Sequence, residues 1–217
     1  MVENIYLAGR FQPPTNHHVR LVRYMDDSFE PEEIHLAVVD TYRRSGANPF
    51  TPEEVEQMLV TGLEDAGVEA DTGVYRLDEN ILEHRDSVVE ELGEPLTFFT
   101  REWKWAAIGR VLDGLETLDG SDNDIELVHE PRDNGVLEDY GEEPYTGRAS
   151  EVRRMIGEEN EEWRRYVPDG VEELVDGYDE AVETCREEED FSSGKYDFRE
   201  RIPDYVDGAV RGKVNLL

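Results

Sequence analysis

Short apolar runs alternate along this chain with longer segments whose apolar residues recur every three or four positions. The runs Ile5–Ala8, Ile34–Val39, Val74–Leu77, Leu96–Thr100 and Ile125–His129 read as strands. The segments Asn16–Met25, Pro52–Ala66, Glu83–Leu92 and Trp103–Leu115 have helical spacing, and Ser150–Gly157 follows the last strand as a further helix. Alternation of this kind predicts a parallel sheet with right-handed crossovers. Thr51-Pro52-Glu53-Glu54 is a strong helix start, with a hydroxyl cap, proline in the first turn and glutamate three residues after the cap. Val55, Met58, Leu59 and Leu63 then form one apolar face. Val171, Leu174, Val175, Tyr178 and Val182 predict a later helix, followed by the polar stretch Glu187–Lys195. Phe198, Ile202, Tyr205 and Val206 predict that the end of the chain docks on the body. The division expected is a main domain over residues 1–168 and a helical extension over 169–217, packed on it. Oligomer contact and core cover are equally open readings of that extension, so a homo-oligomer is one expected state.

The chemistry concentrates after the first strand, in Leu7-Ala8-Gly9-Arg10-Phe11-Gln12-Pro13-Pro14-Thr15-Asn16-His17-His18. The pattern reads as strand, glycine-containing loop, then helix N-terminus. The first amides of a helix lack internal partners and present partial positive charge, so phosphates dock there in α/β folds. Thr15 and His18 are three apart and share one face of the first turn. A glycine, an arginine, a hydroxyl and an imidazole therefore converge beside those amides.

Composition narrows the partners. The 217 residues hold 54 acidic against 22 basic side chains, a formal charge of −32, spread along the whole length. Lys104, Lys195 and Lys213 are the lysines. The reading favoured is a solvated, halophile-like acidic surface, on which high salt screens the self-repulsion. A basic face for nucleic acid is lacking, so no nucleic-acid partner is expected. A small anionic ligand needs a local island of positive charge, which makes each arginine informative. Cys185 is alone, which excludes an internal disulfide and a cysteine-based metal site. The sequence shows neither a signal-peptide pattern nor an apolar run near 18 residues, so the expectation is a cytoplasmic protein with no membrane contact.

Gly9-Arg10-Phe11-Gln12-Pro13 followed by Thr15-x-x-His18 resembles the signature of the HxGH nucleotidyltransferase superfamily. It is most similar to the nicotinamide-nucleotide adenylyltransferases of archaeal type, in which the first histidine of the motif can be threonine. The motif usually has glycine before its last histidine, where this chain has His17. The resemblance covers about residues 1–168 and is strongest at its two ends. It implies an α/β fold, a Rossmann-like doubly wound parallel five-stranded sheet, here with a helical C-terminal extension. It implies transfer of AMP from ATP to nicotinamide mononucleotide, with Mg²⁺, releasing pyrophosphate and forming NAD. His18, Thr15 and Arg10 are then the catalytic candidates, and Gly9, Phe11 and Gln12 belong to the ATP site.

Other segments fit the same resemblance. Asn48-Pro49-Phe50-Thr51 is similar to an element that follows the second strand in such enzymes, although a plain turn and cap would also account for it. Arg43 and Arg44 precede it and read equally well as phosphate ligands or as solvated surface. Ser150-Glu151-Val152-Arg153 resembles the family's late motif. Ser150 would cap a helix and aim its amides at the triphosphate, and Arg153 would hold the β and γ phosphates. Ala149 replaces a second hydroxyl residue usual there. For the acceptor, Asp78 and Asn80 stand near an expected Pro-Asp-Ile element, but no tryptophan follows until Trp103, the candidate stacking face. His35, His84 and His129 lack partners at metal-ligand spacing, so no protein metal site is expected. Two alternatives stay open: adenylyl or cytidylyl transfer to pantetheine phosphate, FMN or a polyol phosphate, and a non-catalytic nucleotide-binding module.

Overall fold

The computed structural model describes residues 4–40, 44–76, 88–93, 95–100, 125–129, 135–145 and 148–187. Its strands are β1 (Asn4–Gly9), β2 (Glu33–Asp40), β3 (Asp71–Arg76), β4 (Leu96–Thr100) and β5 (Ile125–His129). They form one sheet in the order β3-β2-β1-β4-β5, with every adjacent pair parallel. The chain steps outward from β1 to β3, then returns to the other side of β1 for β4. That reversal opens a crevice beyond the carboxyl ends of β1 and β4, where ligands bind in open α/β sheets.

Alternation along β1 sorts its side chains to two faces. Ile5 and Leu7 join one apolar cluster with Ile34, Leu36, Val38 and Phe99. Helix α1 (Asn16–Phe29) contributes Leu21, Val22 and Met25 to it, and α2 (Pro52–Asp65) contributes Val55, Met58, Leu59 and Leu63. Full burial of each such side chain contributes about 1.5–3 kcal/mol. Tyr6, Ala37 and Leu96 face the other way, against Val88 at the start of the helical residues 88–92. Helices thus cover both faces of the sheet, the doubly wound arrangement.

Several boundaries differ from those expected. Helix α1 continues past Met25 to Phe29, because the Phe29 ring packs edge-on against Tyr24 and Phe99. Glu30 then closes it in the left-handed region, at φ 47°. Strand β3 starts at Asp71, three residues before the expected Val74, since its length is set by pairing with β2 from His35↔Asp71 onward. After α3 (Ala149–Gly157), a 3-10 turn at Glu161–Tyr166 leads to α4 (Asp169–Gly177) and α5 (Asp179–Glu187). The single helix expected across Val171–Val182 is broken at Tyr178. Its backbone leaves the helical region there, at φ −100° and ψ 68°, and its carbonyl accepts the first bonds of α5 from Ala181 and Val182. The Tyr178 side chain turns toward α2, donating to Gln57 Oε1 at 2.9 Å and meeting the Phe50 ring edge-on. The expected helix at Trp103–Leu115 and the terminal stretch from 188 onward lie outside the described residues.

Helix α4 packs closely on α2 because Gly62 lacks a side chain. A Cβ at Gly62 would lie 2.9 Å from Val171 Cγ2 and 3.1 Å from Pro168 Cγ. Gly62→Val should therefore lower the unfolding free energy by about 1–3 kcal/mol. Chemical denaturation in molar KCl measures this, and an unchanged midpoint would contradict the packing.

Candidate functional site

The β1–α1 loop is shaped by the Phe11 ring. A Cβ at Gly9 would lie 2.8 Å from Phe11 Cζ, so only glycine lets the ring fold back over the strand end. Phe11 itself is at φ 47°, a left-handed conformation that costs about 1–3 kcal/mol in a non-glycine residue. Its buried ring stands edge-on to His18, with centroids 5.1 Å apart. The Gln12–Pro13 peptide is cis.

Thr15 is the N-cap of α1, in an extended conformation, and is fully buried. Its backbone N–H donates to His18 Nδ1 at 2.9 Å, and its hydroxyl oxygen lies 3.0 Å from the same nitrogen. A backbone N–H can only donate, so Nδ1 is an acceptor. The proton of the neutral ring is then on Nε2, an assignment drawn from hydrogen-bond geometry. The cap therefore turns His18 into an N–H donor at the other ring nitrogen. Thr15 serves the imidazole directly, which the sequence placed only beside it.

Gln12 ties this loop to the Asn-Pro-Phe-Thr element. Its side-chain amide donates to the Phe50 carbonyl at 2.9 Å and accepts from the Phe50 N–H at 3.0 Å. That pair imitates a backbone ladder between two buried segments. Arg10 donates to Asn48 Oδ1 at 3.4 Å, in the same element.

Arg153 of α3 reaches both loops. It is 3% exposed, donates from Nε to the Gly46 carbonyl at 2.9 Å, and donates from Nη1 to the Gln12 carbonyl. Burial first, and then the nearby Arg10 charge, lower its pKa to about 10, with Cys185 acting in the opposite direction. A buried guanidinium and a half-buried one that repel one another suit an anion between them.

The remaining candidates fall in different places. Ser150 is not the cap. Arg148 occupies that position, and Ser150 is the second residue of α3, still within the turn whose amides lack helical partners. Arg44 is turned onto Glu54, with contacts of 3.0 and 2.8 Å, and also donates to the Pro49 carbonyl at 2.5 Å. Glu180 of α5 lies 3.5 Å away. These contacts, first the Glu54 hydrogen bond, raise its pKa, and they fasten the 44–49 turn to α2. Arg43, Asp78, Asn80 and Trp103 lie outside the described residues, as does His84. His35 lies 3.4 Å from both the Glu33 and Asp71 carboxylates. Among the described residues no group of His, Cys, Asp or Glu could hold a metal ion.

Three further contributors carry little signal in the sequence. Asn48 acts through its side chain, Gly46 through its carbonyl, and Asn16 by donating to the carbonyls of Pro144 and Arg165 at 2.9 and 3.1 Å. Asn48 alone had a signal, its place in the quoted element. A carbonyl acceptor has none, because any residue supplies one.

Comparison with known proteins places the fold. No protein-family model matches the chain, and no curated protein matches it. Among solved structures, it is similar to a putative nicotinate-nucleotide adenylyltransferase from Vibrio parahaemolyticus, with TM-score 0.55 and 12% identity over 85% of this chain and 98% of that one. It is also similar to a bifunctional NMN adenylyltransferase/ADP ribose pyrophosphatase from Francisella tularensis, with TM-score 0.53 and 15% identity over 84% of this chain. The match spans about half of that enzyme, 52% of its length. A second structure of the Francisella protein, complexed with AMP and a manganese ion, matches with TM-score 0.52 and 14% identity, over 85% of this chain and 52% of that one. The chain thus shares the α/β fold of these structures. No helix among the described residues is long and apolar enough to cross a membrane.

Gln12→Ala should remove the partners of the buried Phe50 N–H and carbonyl together, lowering stability by about 2–4 kcal/mol. Thermal unfolding of the variant against the parent checks this, and equal transitions would show the clamp to be dispensable.

Proposed function

We propose that this chain is a nucleotidyltransferase that joins AMP from ATP to nicotinamide mononucleotide, releasing pyrophosphate and forming NAD. The observation that supports this best is the convergence of His18, Arg10 and Arg153 on one loop at the sheet's crevice. His18 is joined to that loop by Phe11, and Arg153 by the Gln12 carbonyl. The resemblance of the Gly9–His18 motif and the fold shared with two adenylyltransferases support the same reading.

The reaction needs alignment and charge balance more than a protein nucleophile. An acceptor phosphate oxygen attacks the α-phosphorus of ATP. The bond to the β-phosphate bridging oxygen breaks in line, and pyrophosphate departs with that electron pair. The Nε2–H of His18 donates to the α-phosphate oxygens as charge gathers on them. Arg10, Arg153 and the first amides of α1 and α3, Ser150 included, balance the departing pyrophosphate. A bound Mg²⁺ would add charge neutralisation, held mainly by phosphate oxygens and water, as such ions commonly are. Asp78, Asn80 and Trp103 are proposed for the acceptor, and Arg43 for the phosphates. We read the acidic surface as that of a cytoplasmic protein suited to high salt, acting on small nucleotides.

Pyrophosphate release is the test, measured in molar KCl with Mg²⁺ and ATP or CTP. The acceptors are nicotinamide mononucleotide, pantetheine phosphate, FMN and a polyol phosphate. Release with nicotinamide mononucleotide and ATP is expected. Release only with another pair would move the assignment to that acceptor. ATP binding with no release from any pair would leave a nucleotide-binding module. His18→Ala should cut turnover at least about a hundredfold while ATP affinity changes little. Parental turnover in that variant would remove His18 from the chemistry.

A further inference from the structure

Beside His18 lies a stack of planar groups that the reaction above does not use. The His17 and Tyr145 rings are nearly parallel, at 22°, with centroids 5.8 Å apart. The Arg20 guanidinium carbon lies 4.3 Å from the centroid of the same Tyr145 ring. His17 in turn stands edge-on to His18, at 81° and 5.8 Å. His17 and Arg20 are both more than nine-tenths buried. His17 also occupies the position where the resembled motif has glycine, which offers no ring.

The segment bearing Tyr145 is fastened to α1 around that stack. Arg20 donates to the Leu137 carbonyl at 2.9 Å and to the Glu143 carbonyl at 2.6 Å. Asn16 donates to the Pro144 carbonyl, next to Tyr145. Gly141 leaves room for this, since a Cβ there would lie 3.1 Å from Arg20 Nε. Tyr145 is therefore held in place, with its face nearly parallel to the His17 ring.

We propose that the Arg20–Tyr145–His17 stack is a positioning device that fixes the orientation of the His18 imidazole. The contacts at Nδ1 set which nitrogen carries the proton, and the rings packed beside the imidazole bear on its orientation. Phe11 on one neighbouring side and His17 on another restrict how far the ring turns. The direction of the Nε2–H is thereby set. The role of that N–H in phosphoryl chemistry rests on the function proposed above, whereas the restriction of the ring does not.

The test uses the full chain in molar KCl, with two readouts. One is the nitrogen-15 spectrum of the His18 ring, identified by the signals missing from His18→Ala. The other is kcat against KM for ATP. Tyr145→Leu removes the aromatic face, His17→Ala removes the neighbouring ring, and Tyr145→Phe keeps the stack. In the first two variants the His18 signals should shift and broaden, and kcat should fall about tenfold to a hundredfold with little change in KM. Tyr145→Phe should restore the parental spectrum and kcat. A folded Tyr145→Leu or His17→Ala with a parental His18 spectrum overturns the proposal. Loss of folding in both would make the stack a stability element and overturn it equally. A parent without turnover would refute the proposed function, while the ring spectrum would still decide the positioning role.

Discussion

The arrangement depends on one buried cation. Arg153 lies 107 residues from Gly46 and 141 from Gln12 along the chain, yet donates to both their carbonyls. Those two bonds bring the late helix, the first loop and the loop after β2 to one place. The arrangement is electrostatically costly, because burial and the neighbouring Arg10 both disfavour the charged form. Carbonyl dipoles offset only part of that cost. A bound anion would offset more, and whatever binds the folded state alone also stabilises it. The side chain that joins the two loops to the late helix is thus also one that a nearby anion would stabilise.

The contrast between inner and outer arginines follows from the same physics. Arg44, Arg154, Arg164, Arg165 and Arg186 meet carboxylates at or near the surface. Pairs of that kind contribute about 0–1 kcal/mol each and have little field left to act on a ligand. Arg20 and Arg153 are buried and donate to backbone carbonyls, which orient a guanidinium without cancelling its charge. In a chain of formal charge −32, such placement keeps these two cations away from the surface carboxylates that hold the outer arginines. Molar salt helps, since it reduces the screening length to about 3 Å and confines the surface acids' influence to their surroundings.

The parallel α/β architecture was readable because strand and helix periods differ, and because capping residues such as Thr51 mark helix starts by local chemistry. The Thr15–His18 relation was readable as a shared helix face, but the N–H donation that sets the tautomer was not. It depends on the extended backbone of the cap, which spacing does not encode. Gln12 read as a ligand candidate, yet its amide holds Phe50. A buried glutamine and a ligand-binding one look alike until its partner, 38 residues away, is known. The break at Tyr178 was hidden because Val171 and Val182 keep helical spacing across it. The tyrosine's contact with Phe50 and Gln57 prevails over local periodicity. Arg44 was ambiguous for a similar reason, since only folding brings Glu54 and Glu180 to it.

The two departures from the resembled motif belong together physically. Threonine is among the favoured N-cap residues, and Thr15 takes the extended cap conformation. It adds a hydroxyl beside Nδ1 of His18 while its amide fixes the tautomer. A glycine at the second helical position would leave a space between α1 and the segment that ends in Tyr145. The His17 ring occupies that space, stacked on Tyr145 and standing against His18. The Thr15 hydroxyl adds a contact at Nδ1 and the His17 ring adds packing, so both side chains bear on how His18 is held.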